Sequence, residues 1–179
     1  MSAAKPPRVL RLTDGIWFRA GPLVWGLEPL RIASGSWVAV VPGDEEPVFD
    51  PAGPLARILA TLTPPLRGTV ELLDGDVYRM DYLPRQRLRS RLGFVQGYGG
   101  LLSNRTLREN IALPVSVHGG LTLADERALV EDTLYGFALD QLADLRPHEV
   151  DGATRWQTCV ARALVLEPAW VVLEGIGDW

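Results

Sequence analysis

An α/β fold is predicted for this chain by three features of its 179 residues. A continuous apolar run, Val38-Ala39-Val40-Val41, suits a strand buried on both faces, and a loop and a helix-period stripe follow it directly. Near the end, a second amphipathic stripe leads past Pro168 into another apolar run, Trp170-Val171-Val172-Leu173. With 47% hydrophobic and 22% charged residues, the chain reads as one globular domain able to bury a core, spanning 1–179 behind a flexible tail over 1–7. No stretch approaches the ~18 apolar residues of a spanning helix, and the charged start through Arg8 lacks the apolar core of a signal peptide. A cytoplasmic protein is therefore expected.

The elements follow in order. Val9-Leu10-Arg11-Leu12 and Ile16-Trp17-Phe18 read as strands around a Thr13-Asp14-Gly15 turn. After the run at Val38–Val41 comes a loop from Pro42 to Pro54. Leu55, Ile58, Leu59 and Leu62 then recur at i, i+3, i+4, i+7, with Pro54 suited to the first helical position and Pro64-Pro65 to stop the helix. Gly68–Leu72 and Leu92–Val95 are further strands, separated by an Arg-rich helix or turn from Pro84 to Arg91. Thr122 with Asp125 forms a weak capping box for a helix running to about Phe137. Asp151 caps another, whose face is Trp156, Cys159, Val160, Ala163 and Leu164.

Composition excludes several functions. One cysteine, Cys159, cannot form an internal disulfide, and His118 and His148 have no partner at zinc-ligand spacing, so no metal site is expected. A net charge of -4 argues against general nucleic-acid binding, and the Arg85, Arg87, Arg89, Arg91 run reads as a solvated face. Of 18 basic residues only Lys5 is a lysine, which excludes chemistry that needs a lysine inside the fold.

Taken together, "GSWVAVVPG", "LARILATLTPPLRGTVELLDGD", "RLGFVQGYGGLLSNRTLRENIALPV" and "DLRPHEVDGATRWQTCVARALVLEPAWVVLEG" resemble the successive landmarks of an ATP-binding cassette (ABC) transporter ATPase domain. The segments Gly97–Pro114 and Asp144–Pro168 are most similar to cassettes of the Mla type, which serve phospholipid-moving permeases that act with MCE-domain proteins. The resemblance implies a P-loop NTPase-like sheet with a small helical subdomain inserted at about 93–150. It also implies that the family's last strands and helices, including the D-loop and switch histidine, are missing before Trp179.

Each phosphate-directed motif of that family is altered here. Its Walker A loop uses glycines, a Lys and a Ser or Thr to hold phosphates and Mg²⁺. The aligned loop, Pro42-Gly43-Asp44-Glu45-Glu46-Pro47-Val48-Phe49-Asp50-Pro51-Ala52-Gly53-Pro54, has no Lys, Ser or Thr but four carboxylates and four prolines. One like-charged pair at ~4 Å costs about 4 kcal/mol at an effective dielectric near 20, and proline has no N–H to donate. Pro42, Gly43 and Gly53 are vestiges of the nucleotide loop. In the Walker B region Glu174 stands where the metal-binding Asp would be, and Gly175 where the catalytic Glu would be. Val150-Asp151-Gly152-Ala153-Thr154 replaces the LSGGQ-like signature, so that Asp151, Gly152 and Ala153 align with its phosphate-contacting part. Gln96 and Gly97 align with the Q-loop, with the glutamine one residue early. Tyr98, Leu101, Leu102 and Ile111 resemble the lining of a groove for a permease's coupling helix; packing inside the helical subdomain is the alternative for Leu102 and Ile111. Trp17 or Phe18 stands where the family stacks an aromatic on adenine, with core packing the alternative.

The resemblance thus implies a non-hydrolysing ABC-like subunit of a lipid transport system, with no catalytic residue intact. Its expected partners are an intact cassette, a membrane permease or a second copy of itself, and it would meet the membrane's inner face only through a permease. No cofactor is expected, weak ATP and Mg²⁺ binding staying open. A free-standing scaffold derived from a cassette and an ATPase with a rebuilt loop are the other two readings.

Overall fold

The computed structural model describes residues 8–40, 49–73, 75–97 and 100–175. They fall into two compact units, Met1–Arg89 and Ser90–Trp179.

The first unit is built on β1 (Arg8–Ala20), β2 (Leu23–Leu27), β3 (Leu30–Ala33), β4 (Arg67–Leu72) and β5 (Gly75–Asp76), with helices α1 (Ala52–Leu59) and α2 (Tyr82–Arg89). Every pairing in its sheet is antiparallel: β3 and β2 share one side of β1, β4 takes the other, and β5 pairs with β4. The expected turn at Thr13–Gly15 is instead a bulge inside one continuous strand. Between the pairs Thr13↔Thr69 and Ile16↔Gly68, β1 spends three residues and β4 one, so two extra residues are absorbed. Asp14 and Gly15 take them up with φ of 60° and 74°. Because side chains alternate with period two, a two-residue insertion keeps the faces in phase. Leu10, Leu12, Ile16, Phe18 and Ala20 therefore all point into the core, which settles Phe18 as a packing residue. β2 and β3 went unrecognised because they are short edge strands without clean alternation, broken from each other by Glu28-Pro29.

Helix α1 begins at Ala52 and ends at Leu59, three residues earlier at each end than the periodicity predicts. Asp50 accepts a hydrogen bond from Ala52 N at 2.8 Å, and Gly53 lies in the helix's first turn rather than in a loop. At the other end Thr61 adopts φ of 62°, and Arg89 holds it there by donating to Thr61 O at 2.6 Å and to its Oγ1 at 3.2 Å. The Tyr78 hydroxyl donates to Ile58 O at 2.7 Å, and burial pushes its phenol pKa up against the lowering charges of Arg89 and Arg85, so it stays protonated. Leu62 is thereby left outside the helix and half exposed.

The predicted strand at Val38 does not form. Residues 36–40 are irregular, Trp37 is 92% exposed, and Val38 and Val40 are about half exposed. An apolar run becomes a buried strand only when neighbours take its N–H and C=O groups, and among the described residues no strand pairs with it. Val41 and the following Pro42 to Val48, including Pro42, Gly43, Asp44, Glu45 and Glu46, lie outside the described residues.

The second unit contains β6 (Leu92–Val95), α3 (Leu107–Pro114), α4 (Leu123–Gly136), α5 (Gly152–Leu164) and β7 (Trp170–Leu173). Its helices enclose Leu107, Ile111, Val115, Val130, Leu134, Leu139, Ala143, Ala161 and Val165. Each helix start is capped: Thr106 and Glu109 form a reciprocal capping box on α3, Thr122 accepts from Asp125 N, and Asp151 accepts from Thr154 N. On α5 the fully buried positions are Thr158, Cys159 and Ala161; Trp156, Val160, Ala163 and Leu164 are half-buried, because the helix is enclosed on more sides than one stripe would require. No described helix is long and apolar enough to cross a membrane.

Gly68 faces the bulge with φ of 95°, and a Cβ there would collide with Gly15 O. Gly68→Ala is expected to destabilise the chain by about 1–3 kcal/mol, through left-handed strain and a forced shift of the bulge. Urea unfolding read by circular dichroism checks it; an unchanged midpoint would show that the bulge is not what holds the register.

Candidate functional site

The chemistry of the second unit gathers where β6 and β7 end. The two strands run parallel in the register Leu92↔Trp170 to Val95↔Leu173. Glu174 N continues the ladder by donating to Val95 O at 3.0 Å. This brings Gln96-Gly97 alongside Glu174-Gly175, although the two pairs are far apart in sequence. Gly97 lies against the Glu174 side chain: a Cβ on it would be 3.4 Å from both Cγ and Oε1, at van der Waals distance. Gly175 leaves the strand with φ of 71°. In open α/β sheets, ligands bind beyond the carboxyl ends of parallel strands, and Gln96, Gly97, Glu174 and Gly175 stand at such an end.

Arg162 joins them from α5. Its guanidinium donates to Gly100 O at 2.9 Å. A Cβ on Gly100 would sit 3.6 Å from Gln96 Oε1 and 3.7 Å from Arg162 Nη2, so Gln96 and Arg162 flank the same glycine. Burial pushes the Arg162 pKa down, opposed by neighbouring Cys159, whose own thiol is pushed up by burial. The motifs assign Arg162 no role; the signal in the sequence is an arginine one turn from Cys159 on the apolar stripe of this helix.

Asn110 was also missed. It is fully buried, and its Oδ1 accepts from Leu102 N at 2.8 Å while its Nδ2 donates to Leu102 O at 3.1 Å and Thr106 O at 2.9 Å. With both ends of its amide engaged, it fastens the segment before α3. That segment presents Leu102 at 45% exposure, with Leu101 half-buried. Ile111 is completely buried among the α3, α4 and α5 side chains, so its expected place in a partner groove is corrected: it is on the core face of α3. Tyr98 lies outside the described residues.

At the start of α5, Asp151 Oδ1 accepts from Thr154 N at 2.7 Å. Gly152 and Ala153 form the helix's first turn. The hydrogen bonds from Thr154, ahead of the Arg155 charge, hold the Asp151 carboxyl below its ordinary pKa. The helix N-terminus therefore carries its own anion, fixed on the Thr154 N–H, one of its free donors. Among the described residues no group of three or more His, Cys, Asp or Glu is placed to hold a metal ion.

No family model matches the chain. The lipoprotein-releasing system ATP-binding protein LolD 1 of Rhodopirellula baltica is 28% identical over 152 residues, which are 82% of this chain and 66% of that protein. The methionine import ATP-binding protein MetN 1 of Rhodococcus jostii is 34% identical over 121 residues, 67% of this chain and 35% of that protein. Among solved structures, the dimeric post-hydrolysis state of the ATP-binding cassette MJ0796 bound to ADP and Pi matches 92% of this chain and 72% of its own, with a TM-score of 0.68 and 17% identity. The class is therefore plain: the chain has the α/β fold of an ATP-binding cassette. More particularly, its sequence is similar to ATP-binding proteins of lipoprotein-release and methionine-import transporters, of whose lengths it spans 66% and 35% in these two examples.

Because the folded-state pKa of Asp151 is depressed, its contribution to stability is present above the ordinary value of 3.8 and is lost as pH falls through the folded value. Asp151→Ala should lower the thermal midpoint at pH 7, with the difference from the parent shrinking as the solution is acidified past that window. Asp151→Asn, which caps without charge, should stay near the parent at neutral pH. Melting curves across pH check both; an alanine variant as stable as the parent at pH 7 would show that the cap contributes nothing.

Proposed function

We propose that this chain is a cassette-like subunit of an ABC transport system that does not hydrolyse ATP and works through contacts with an intact cassette or a permease. The observation that carries this reading is Asp151: its carboxylate is fixed by Thr154 N at the N-terminus of α5, the place where the family's signature would meet a phosphate. Three features support it. Gly175 offers no group to orient or deprotonate water. Ala52 and Gly53, at the head of α1, carry no hydroxyl for Mg²⁺. The single lysine is Lys5, outside the Pro42–Pro54 loop and every other Walker-like segment. The residues present do not fit ATP with Mg²⁺ in the family's manner, and no chemical step is assigned to them.

The likeness of Gly97–Pro114 and Asp144–Pro168 to Mla-type cassettes supports a lipid or lipid-linked cargo, and a relative whose name is that of a lipoprotein-releasing system agrees with it. A cytoplasmic position, peripheral to the membrane through a permease, goes with this reading. A second reading, an ATPase with a rebuilt loop, is favoured by the closeness of Glu174 to Gly97 and Gln96, an arrangement that could hold a metal-bound water.

The two readings separate by experiment. Calorimetric titration of the chain with ATP and Mg²⁺ should detect no micromolar binding, and phosphate release should match the buffer blank with or without an added intact cassette. Turnover that belongs to this chain and disappears in Glu174→Gln would establish the ATPase reading instead.

A further inference from the structure

The outer face of the first unit's sheet concentrates positive charge in a chain whose net charge is -4. Register fixes its membership. Arg11 lies opposite Arg31 on one side and Glu71 on the other; Trp17 lies opposite Gly26 and Arg67; Arg19 lies opposite Val24. Arg19, Arg31 and Arg67 are exposed, Trp17 is 49% exposed and Val24 54%. The indole lies across β2, so close that a Cβ on Gly26 would be 2.8 Å from Trp17 Cζ3. Glu71, 3.5 Å from Arg11, and Asp76, opposite Glu71 in the register and 3.2 Å from Arg79, are carboxylates on this face, and each is already paired with an arginine. The side chains of Arg19, Arg31 and Arg67 form no hydrogen bond or ion pair among the described residues.

Such a face is electrostatically incomplete. Like charges directly opposite one another, as Arg11 and Arg31 are, destabilise an antiparallel pair, and an anion laid between them reverses the sign. We propose that this face docks an acidic, extended segment of a partner protein, with carboxylates on Arg19, Arg31 and Arg67 and an apolar side chain on Trp17. The spacing suits an extended peptide: Trp17 and Arg19 are two residues apart on one strand, about 6.6–6.8 Å, which is also the repeat of same-side residues in an extended ligand. Arginine forks pair with carboxylates in bidentate fashion, and an arginine and tryptophan cluster is the composition from which binding hot spots are made. A nucleic acid is disfavoured by the chain's overall negative charge. This proposal does not depend on whether the chain hydrolyses ATP.

The test uses the full chain and a labelled peptide of alternating Glu and Val, followed by fluorescence anisotropy. Binding that weakens with added salt is expected. The double variant Arg19→Glu/Arg67→Glu should weaken it by on the order of tenfold or more, Trp17→Ala by several-fold, and Arg127→Glu, on the exposed side of α4, not at all. All four side chains point to solvent, and circular dichroism confirms that each variant is folded. The proposal is overturned by any of four results: no binding at low salt; equal binding by the folded double variant; preference for a labelled oligonucleotide or anionic vesicles over the peptide; or displacement of the peptide by ATP with Mg²⁺, which would make the face a nucleotide surface.

Discussion

One backbone hydrogen bond, from Glu174 N to Val95 O, decides where the second unit keeps its polar chemistry. It extends the parallel ladder by one residue past β7, and with it two loop beginnings meet that are otherwise unrelated in sequence. Without that pairing Gln96 and Glu174 would be two polar residues at two strand ends. With it, Gly97 packs beside the Glu174 side chain, where a Cβ would lie at van der Waals distance from the carboxylate. Arg162 extends the group by reaching the carbonyl of Gly100. A parallel pair has no turn to set its register, so the enclosing helices must hold both strands in place.

The start of α5 shows one geometry serving two incompatible ends. Free N–H groups and the helix dipole attract an anion, whether a side-chain carboxylate or a ligand phosphate. Here Asp151 supplies that anion: its carboxylate accepts from Thr154 N at 2.7 Å, the helix gains its cap, and the hydrogen bonds hold the carboxyl below its ordinary pKa.

In the first unit the corresponding constraint is parity. Two extra residues at Asp14-Gly15 let a 13-residue strand bend without exchanging its faces. The same alternation that buries Leu10, Leu12, Ile16 and Phe18 places Arg11, Trp17 and Arg19 outward, so the core and the basic face are two consequences of one register. A one-residue insertion would have exchanged them.

What the amino-acid sequence determined by itself was a set of features governed by near neighbours, though not the Thr106–Glu109 capping box of α3. The caps at Thr122 and Asp151, the ends of α4, and the runs at β4, β6 and β7 were legible, because each depends on residues within a turn or on a short apolar stretch. The ABC-like fold was legible only as the resemblance of four segments, from "GSWVAVVPG" to "AWVVLEG", to the family's successive landmarks. Tertiary structure alone decided the rest. Val38–Val40 has strand composition but, among the described residues, no neighbour to complete its ladder. Thr13–Gly15 has turn composition but becomes a bulge, because β4 pairs with β1 on both sides of it. Ile111 and Leu102 look alike in sequence; one is buried by α4 and α5, while the other is clamped by its backbone to Asn110 with its side chain outside. Arg162 gains its role from a carbonyl 62 residues away in the chain. Propensity acts over a few residues, whereas pairing, burial and register are set by groups that only the folded chain brings together.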